Sequence, residues 1–459
     1  MTAPDSIETI SAFVADGQTM DLPGSVVEAT AASIADTVAC MIAGSRSDTV
    51  EAVLRVALRW GGSPTCRIIG HDERLPAYLA ALVNASMAHQ HDFDDTHDAA
   101  VCHPTSASLT AALATADEFG DVDGATFMRA IAIGNDVACR LGLAIDGTLW
   151  DFPWTRAPVV GMFGAVAASA VVAGLDQATT RHAFGLALPQ VGSTLESVMG
   201  AESDVRSMRD GLAYKDAMLA VCLASEGVRG DERVLDGPYG LFASFFDGRY
   251  EPEVVTRDLG DWFPGSDLSL KPWPTCRHTQ ATLTALIGAL EELGATAGDI
   301  ERIDVRVGSG NERLTSKPWP TIPIDATCNL EYAVSVAATN GDFALDALRL
   351  ERLNDSQVME MSSRIRWIPD DDQDRYGTIE PGDVNVVLTD GREIRRQVDH
   401  SLGHPDMPMP RERRARKLVS CAVQAGMTWS EDSALGYLDR IDHLWSAASS
   451  SDVWALPPG

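Results

Sequence analysis

The feature that most limits the fold of this chain is a helical apolar period running, with short Gly- and Asp-rich interruptions, through roughly its first 255 residues. Ser25 to Ala43 carries apolar side chains at Val26, Val27, Ala31, Ile34, Val38, Met41 and Ile42 and stops at Gly44. Asp48-Thr-Val-Glu51 has the pattern of a capping box and opens a helix through Trp60, ended by Gly61-Gly62. Leu75 to His89 follows, with Pro76 in a first-turn position, then Thr105 to Phe119 and Ala125 to Leu141. Ala165 to Ala173 and Gln177 to Leu188 are rich in Ala, which permits close approach of helix to helix. This half reads as an all-α domain.

After about Gly265 the period changes. Leu283, Leu286, Ile287, Leu290 and Leu293 mark an amphipathic helix ended by Gly294, and Ile303, Val305 and Val307 then alternate with charged residues as a half-buried strand. Val384, Val386 and Leu388 alternate into Thr389-Asp390-Gly391, a hairpin signal, with Ile394 and Val398 on the far side. The tail returns to helix at Arg411 to Ala425 and Ser433 to Ala448. The expected organisation is mainly α with an α+β lid: a helical domain over 1–265, joined by C-terminal helices within 401–459, and an α+β lid domain over 266–400.

The chain has 459 residues, 45% hydrophobic and 22% charged, a soluble globular balance, and a formal net charge of −30. That charge argues against nucleic acid and anionic membrane surfaces as partners, since both are bound through basic patches. No stretch is expected to reach transmembrane length, the longest apolar run being Met162 to Leu175. The acidic N-terminus through Glu8 lacks a signal-peptide pattern, so a cytoplasmic location is expected. Eight scattered cysteines (Cys40, Cys66, Cys102, Cys139, Cys222, Cys276, Cys328, Cys421), with no Cys-x-x-Cys pair, fit reduced thiols.

Against this background the fifteen residues from His89 to His103 stand out: four histidines and four aspartates in one window. Asp is almost never buried unpaired, and His is the natural proton carrier near neutral pH, so the window reads as a proton-transfer and substrate-binding loop rather than helix caps with surface histidines. A metal site is the weaker reading. His89 and His91 are two apart and share no helix face, no His-Glu-x-x-His is present, and no metal is assigned. Lys271, Arg277 and His278 lie within eight residues just before the amphipathic helix, a carboxylate pocket in one reading and a Pro-stiffened domain crossover in the other. Arg206 and Arg209 would be helical neighbours able to hold an anion together, or part of a surface Asp/Arg network. Trp150, Trp154 and Arg156 could line a pocket mouth or form an ordered loop packed on the core. Dinucleotide, P-loop and Gly-x-Ser-x-Gly fingerprints are absent, so no nicotinamide, flavin or nucleotide cofactor is expected.

Taken in order, Ala88-His-Gln-His-Asp92-Phe-Asp-Asp-Thr-His97, His103-Pro104, Gly134-Asn-Asp-Val-Ala-Cys-Arg140-Leu-Gly142, Gly211-Leu-Ala-Tyr-Lys-Asp-Ala and Lys271-Pro-Trp-Pro-Thr-Cys-Arg277-His278 resemble the MmgE/PrpD family over nearly the whole chain. The resemblance implies a cofactor-free homodimer, a large helical domain with a smaller α+β lid, and a pocket between them for a small di- or tricarboxylate. The family includes 2-methylcitrate dehydratase, cis-aconitate decarboxylase and iminodisuccinate epimerase. Asp92, His103 and Lys271 match positions lining the family pocket. A family His falls on Pro158, a family Lys on Arg206 and a family Tyr on Leu314. The expected catalytic residues are His103, Asp92 and Lys271, with Asp95, His97, Arg206, Arg277 and His278 on the substrate and no metal. The expected activity is that of a lyase, first a hydro-lyase of the 2-methylcitrate dehydratase kind working by α-proton abstraction. An epimerase, a decarboxylase or a non-catalytic carboxylate binder are the alternatives.

Overall fold

The computed structural model describes residues 5–376 and 379–457. Residues 1–4, where the acidic N-terminal reading begins, lie outside them. The helical domain is built around Gly24–Gly44, Ala77–His89, Pro104–Phe119, Gly124–Ala144, Arg156–Val172 and Val205–Ser225. The sequence period places most of these within a few residues. Arg156–Val172 is longer than its Ala-rich signal because every side chain in it is buried, so no polar face marks where it starts.

Small residues set how closely these helices cross. A Cβ on Gly134 would come 2.8 Å from the carbonyl oxygen of Gly164, and one on Gly164 would come 2.6 Å from that of Gly134. Gly124–Ala144 and Arg156–Val172 therefore meet backbone to backbone. Gly211 plays the same part where Val205–Ser225 crosses Ala77–His89 beside Leu82 and Ser86. These are the contacts that the Gly-Asn-Asp and Gly-Leu-Ala-Tyr motifs serve.

Gly24–Gly44 corrects one expectation. It is long and apolar enough to cross a membrane by length and composition, with a mean hydropathy of 1.5 over its most apolar window. In the fold, 78% of that window is buried inside the protein, as the core helix against which Ala77–His89 and the C-terminal helices Arg411–Gln424 and Glu431–Asp442 pack. The expected capping box is also different. Asp48–Trp60 takes Ser47 as its cap residue without a side-chain cap bond, and Glu51 instead meets Arg46 at 3.4 Å.

In the second unit, Arg277–Leu293 lies on a four-stranded sheet ordered Ile365–Pro369, Ile300–Val307, Gly382–Leu388, Glu393–Val398. Ile303 pairs with Ile365 in parallel, Val305 with Val384 and Val386 with Ile394 in antiparallel register. Val384, Val386 and Leu388 are fully buried under the helix, while Ile394 and Val398 on the edge strand are half-buried. The hairpin turns at Gly391, whose φ of 86° explains the glycine. The strand Ile365–Pro369 had no signal in the sequence. It sits at the other edge, most of its side chains are exposed, and it ends in proline, so the alternation that betrays a half-buried strand is missing.

The crossing at Gly164 gives a direct check. Gly164→Ala has backbone, not a flexible side chain, in its way, and should destabilise the protein by about 1–3 kcal/mol in urea unfolding. A loss below about 0.5 kcal/mol would mean the two helices are free to separate.

Candidate active site

The His/Asp window is the connection from Ala77–His89 to Pro104–Phe119, and almost all of it is buried. Its path is fixed by backbone bonds. Thr96 and Ser269 exchange N–H···O bonds at 3.0 and 2.8 Å, which staples the loop to the segment leading into Lys271, and the His97 N–H donates to the Cys102 carbonyl at 3.0 Å. Asp92 and Val101 have φ of 49° and 55°. Asp tolerates this region, but a β-branched residue there is strained. Strain held in a loop that lines a cleft is a mark of a functional site.

That cleft encloses about 570 Å³, its mouth included, between the helical domain and the α+β unit. Asp92, His97, His103, Arg206 and Arg209 reach it from the helical side, and Cys276, Arg277, His278, Leu314 and Ile379 from the other.

Asp92 is the hub. One carboxylate oxygen accepts from Lys271 Nζ at 2.6 Å and the other from Arg206 Nη2 at 2.5 Å. Burial by itself would raise this carboxyl, but the two cations outweigh it and hold it well below the usual range, so Asp92 is ionised. Lys271 Nζ also donates to the Asp92 carbonyl at 2.7 Å and is 1% exposed. The ammonium is directed at Asp92 and does not line the cleft, which corrects its expected contact with substrate.

His103 does line the cleft. Its Nδ1 lies 2.8 Å from the Asp95 carbonyl oxygen, which can only accept, so the proton sits on Nδ1 and Nε2 keeps its lone pair. Burial pushes this imidazole down to about 3, with the Asp94 carboxylate working the other way, so the ring is neutral at ordinary pH. Asp94 Oδ2 is 3.4 Å from the same Nδ1, and Asp94 Oδ1 is 3.0 Å from Nδ1 of His89. His89 in turn meets Arg209 Nη2 at 3.2 Å through Nε2. The orienting carboxylate is thus Asp94, not Asp92 or the Asp95 side chain.

Asp95 is a second correction. Its side chain turns away from the cleft to the N–H of Thr105, at 3.4 Å, in the first turn of the next helix, and burial pushes its carboxyl up to about 8. Arg277 is a third. Its guanidinium is filled by Asp98, at 2.7 and 2.6 Å, and by Ser401, so it braces the cleft wall and has little left for a ligand. His97 accepts the Ala100 N–H on Nδ1 and borders the cleft, as does His278, whose Nδ1 has no partner among the described residues. His91 binds the Ala43 carbonyl and plays no part.

Arg206, Arg209 and Arg156 also line the cleft; Nε of Arg206 and Nη1 of Arg209 are buried donors without partners among the described residues, and Arg156 donates to the Gly147 carbonyl at 2.8 Å. Leu149, Val198, Leu314 and Ile379 supply an apolar wall. Leu314 thus leaves apolar surface where the resemblance implied a Tyr, and Pro158 is buried in the first turn of its helix beside the lining residues Arg156 and Ala157. Sequence reasoning named Asp94 only as part of the loop and as a possible ligand in the weaker metal reading, and gave Asp98 and Lys417 no role. The last is a buried lysine on Arg411–Gln424 that donates to the carbonyls of Phe93 and Lys271 and pairs with Asp36 at 2.7 Å.

The Asp95 carboxyl makes a pH test. Because its folded value, about 8, lies above its ordinary value of 3.8, the folded protein holds a proton that the unfolded chain releases. Its stabilising contribution is complete below 3.8 and is lost as pH rises toward 8. Relative to Asp95→Asn, the wild type should lose roughly 1.5 kcal/mol between pH 6.5 and 8 in urea unfolding. Parallel pH profiles for the two proteins would show that this carboxyl is not protonated in the fold.

Comparison with known proteins follows the same two units. The MmgE/PrpD N-terminal domain matches residues 8–253 and the MmgE/PrpD C-terminal domain residues 273–432. The chain is 24% identical over 452 residues to a cis-aconitate decarboxylase of Aspergillus terreus, covering 93% of this chain and 91% of that one. It is 24% identical over 426 residues to the cis-aconitate decarboxylase of Mus musculus (90% and 85%) and 25% identical over 403 residues to that of Homo sapiens (84% and 81%). With both domains matched in order across the helical and α+β units, the chain belongs to the MmgE/PrpD family of enzymes.

Proposed function

We propose that the protein is a cofactor-independent lyase acting on a small di- or tricarboxylate of the aconitate or methylcitrate kind, with decarboxylation as its first reaction. The observation that carries this reading is the division of the cleft. His103, whose Nε2 keeps its lone pair, lines the same cleft as an apolar wall and as Arg206 and Arg209, each of which has a buried donor without a partner among the described residues. Arginines would hold one carboxylate of the substrate. A second carboxylate lying against Leu149, Val198, Leu314 and Ile379 would be poorly solvated, and losing it as CO₂ disperses its charge. The C–C bond to the methylene carbon breaks, its electron pair moves through the neighbouring C=C bond to the carbon α to a retained carboxylate as an enolate-like anion, and a proton must reach that α-carbon. A bound polyanion raises the basicity of His103 by its own charge, so that Nε2 takes up a proton and delivers it. Asp94 and the Asp95 carbonyl hold the ring in place. The three curated relatives named above act, by their names, on cis-aconitate.

Dehydration is the second reading, and His278 favours it. A hydroxyl leaving group needs an acid in addition to the base at the α-carbon, and His278, whose buried Nδ1 has no partner among the described residues, lines the same cleft. Proton NMR in deuterated water with cis-aconitate and 2-methylcitrate separates the two. Decarboxylation places one deuterium at the carbon α to a retained carboxylate and leaves the carbon that lost CO₂ as a terminal =CH₂, and dehydration removes the hydroxyl. His103→Ala should lower turnover by about 10²–10⁴-fold with an unchanged circular dichroism spectrum. Saturable binding of these acids with neither turnover nor exchange would replace the enzyme reading with a carboxylate-binding one.

We also propose a homodimer. Val205, Leu212 and Leu219 recur every two turns on one helix and are 43%, 41% and 37% exposed, an apolar stripe that a second copy would cover. Light scattering should give twice the chain mass for the wild type and the chain mass for Leu212→Glu combined with Leu219→Glu. A monomeric wild type would sink the idea.

A further inference from the structure

The loop leaving the last strand carries His400, His404 and Asp406, none of which the proposed chemistry uses. A ring nitrogen from each histidine and a carboxylate oxygen of Asp406 lie within 4.8 Å of one another. Nε2 of His400 and Nδ1 of His404 approach the same oxygen, Oδ2 of Asp406, at 3.5 and 3.6 Å. Two imidazole nitrogens and a carboxylate oxygen converging on one point form the donor set of a zinc-class ion.

The state of His404 favours this use. The Asp406 backbone N–H donates to Nδ1 of His404 at 3.1 Å, so that nitrogen carries a lone pair and the proton sits on Nε2. Nε2 faces the Asp98 carboxylate at 3.9 Å. An ion would take the Nδ1 lone pair over from the Asp406 N–H, while Nε2–H stays backed by the Asp98 carboxylate, the second-sphere contact that orients a metal-binding imidazole. Asp98 is itself fixed by its two bonds to Arg277 at the cleft wall.

The loop around His404 is also held. Gly403, at φ 91°, exchanges backbone bonds with Leu270 and Met407 at 2.9 and 2.8 Å, and Ser401 accepts from Arg277. His400 is 46% exposed along its side chain and stacks on His404 at 4.0 Å with the rings nearly parallel. Parallel rings cannot both aim in-plane lone pairs at one ion. Binding therefore requires His400 to turn out of the stack, a motion its exposure permits, and the Asp406 N–H to release Nδ1 of His404, whose ring stays in place.

We propose that His400, His404 and Asp406 bind a first-row divalent cation of the zinc class, with water completing the coordination, and that the bound ion ties the loop to the Asp98–Arg277 pair. Two imidazoles select zinc, cobalt, nickel or copper over calcium and magnesium, which prefer all-oxygen sets. The site is independent of the reaction proposed for the cleft.

The experiment uses untagged, full-length, chelator-treated protein. Cobalt(II) is titrated while visible absorption is followed, and zinc is titrated by calorimetry. One equivalent should bind. His400→Ala and Asp406→Asn should each weaken binding at least tenfold, and Asp98→Asn, which leaves the ligands in place, by about 10–100-fold. Zinc should raise the melting temperature of the wild type and not of His400→Ala. His400 is surface-exposed, so its variant keeps the test open even if Asp98→Asn fails to fold. Absence of stoichiometric binding, or binding undiminished in both His400→Ala and Asp406→Asn, would overturn the proposal.

Discussion

Asp92 is an ionised carboxylate with 1% of its surface exposed, and the site is built around keeping it paired. A lone carboxylate at that depth would be too costly to ionise, so the fold must bring cations to it. It does so from two distant segments: Arg206 on a helix of the first domain and Lys271 on the crossover into the second. The left-handed backbone at Asp92 and the two strand-like bonds between Thr96 and Ser269 are the local consequences of holding that triple contact.

The same arrangement explains why the C-terminal helices return to the first domain. Lys417 reaches the carbonyls of Phe93 and Lys271 from behind the loop and pairs with Asp36 on the core helix. A single ammonium thus joins the core helix, the His/Asp loop and the crossover. Asp98 and Arg277 form a comparable brace on the other side of the cleft. With the loop held from both sides, His103 keeps one nitrogen unprotonated beside the cleft, and Arg206 and Arg209 each keep a buried donor without a partner among the described residues.

Much of the fold was legible because its signals are local. Asp48–Trp60 and the hairpin around Asp390-Gly391 lie where apolar period and glycine put them. What failed was also local in origin. Glu51 left its expected cap role for Arg46, and Ile365–Pro369 showed no alternation because most of its side chains are exposed. Within the site, the sequence marked the loop but could not rank its acids. Asp92, Asp94 and Asp95 are chemically identical in a string of letters. In the fold one pairs with two cations, one holds two histidines, and one is protonated and faces a helix start.

The sequence by itself determined a helical domain, an α+β unit, an acidic, histidine-rich loop and a basic segment between them, because periodicity, turn chemistry and residue type are properties of neighbouring positions; that they share one cleft was implied only by the family resemblance. Only the tertiary structure decided which cation is tied up and which is open. Lys271 and Arg277, cationic in any reading, are occupied by Asp92 and Asp98, while Arg209 keeps a donor unpaired among the described residues. The reason is physical: a buried charge takes its role from the partner it meets, and partners more than a hundred residues apart meet only when the chain has folded.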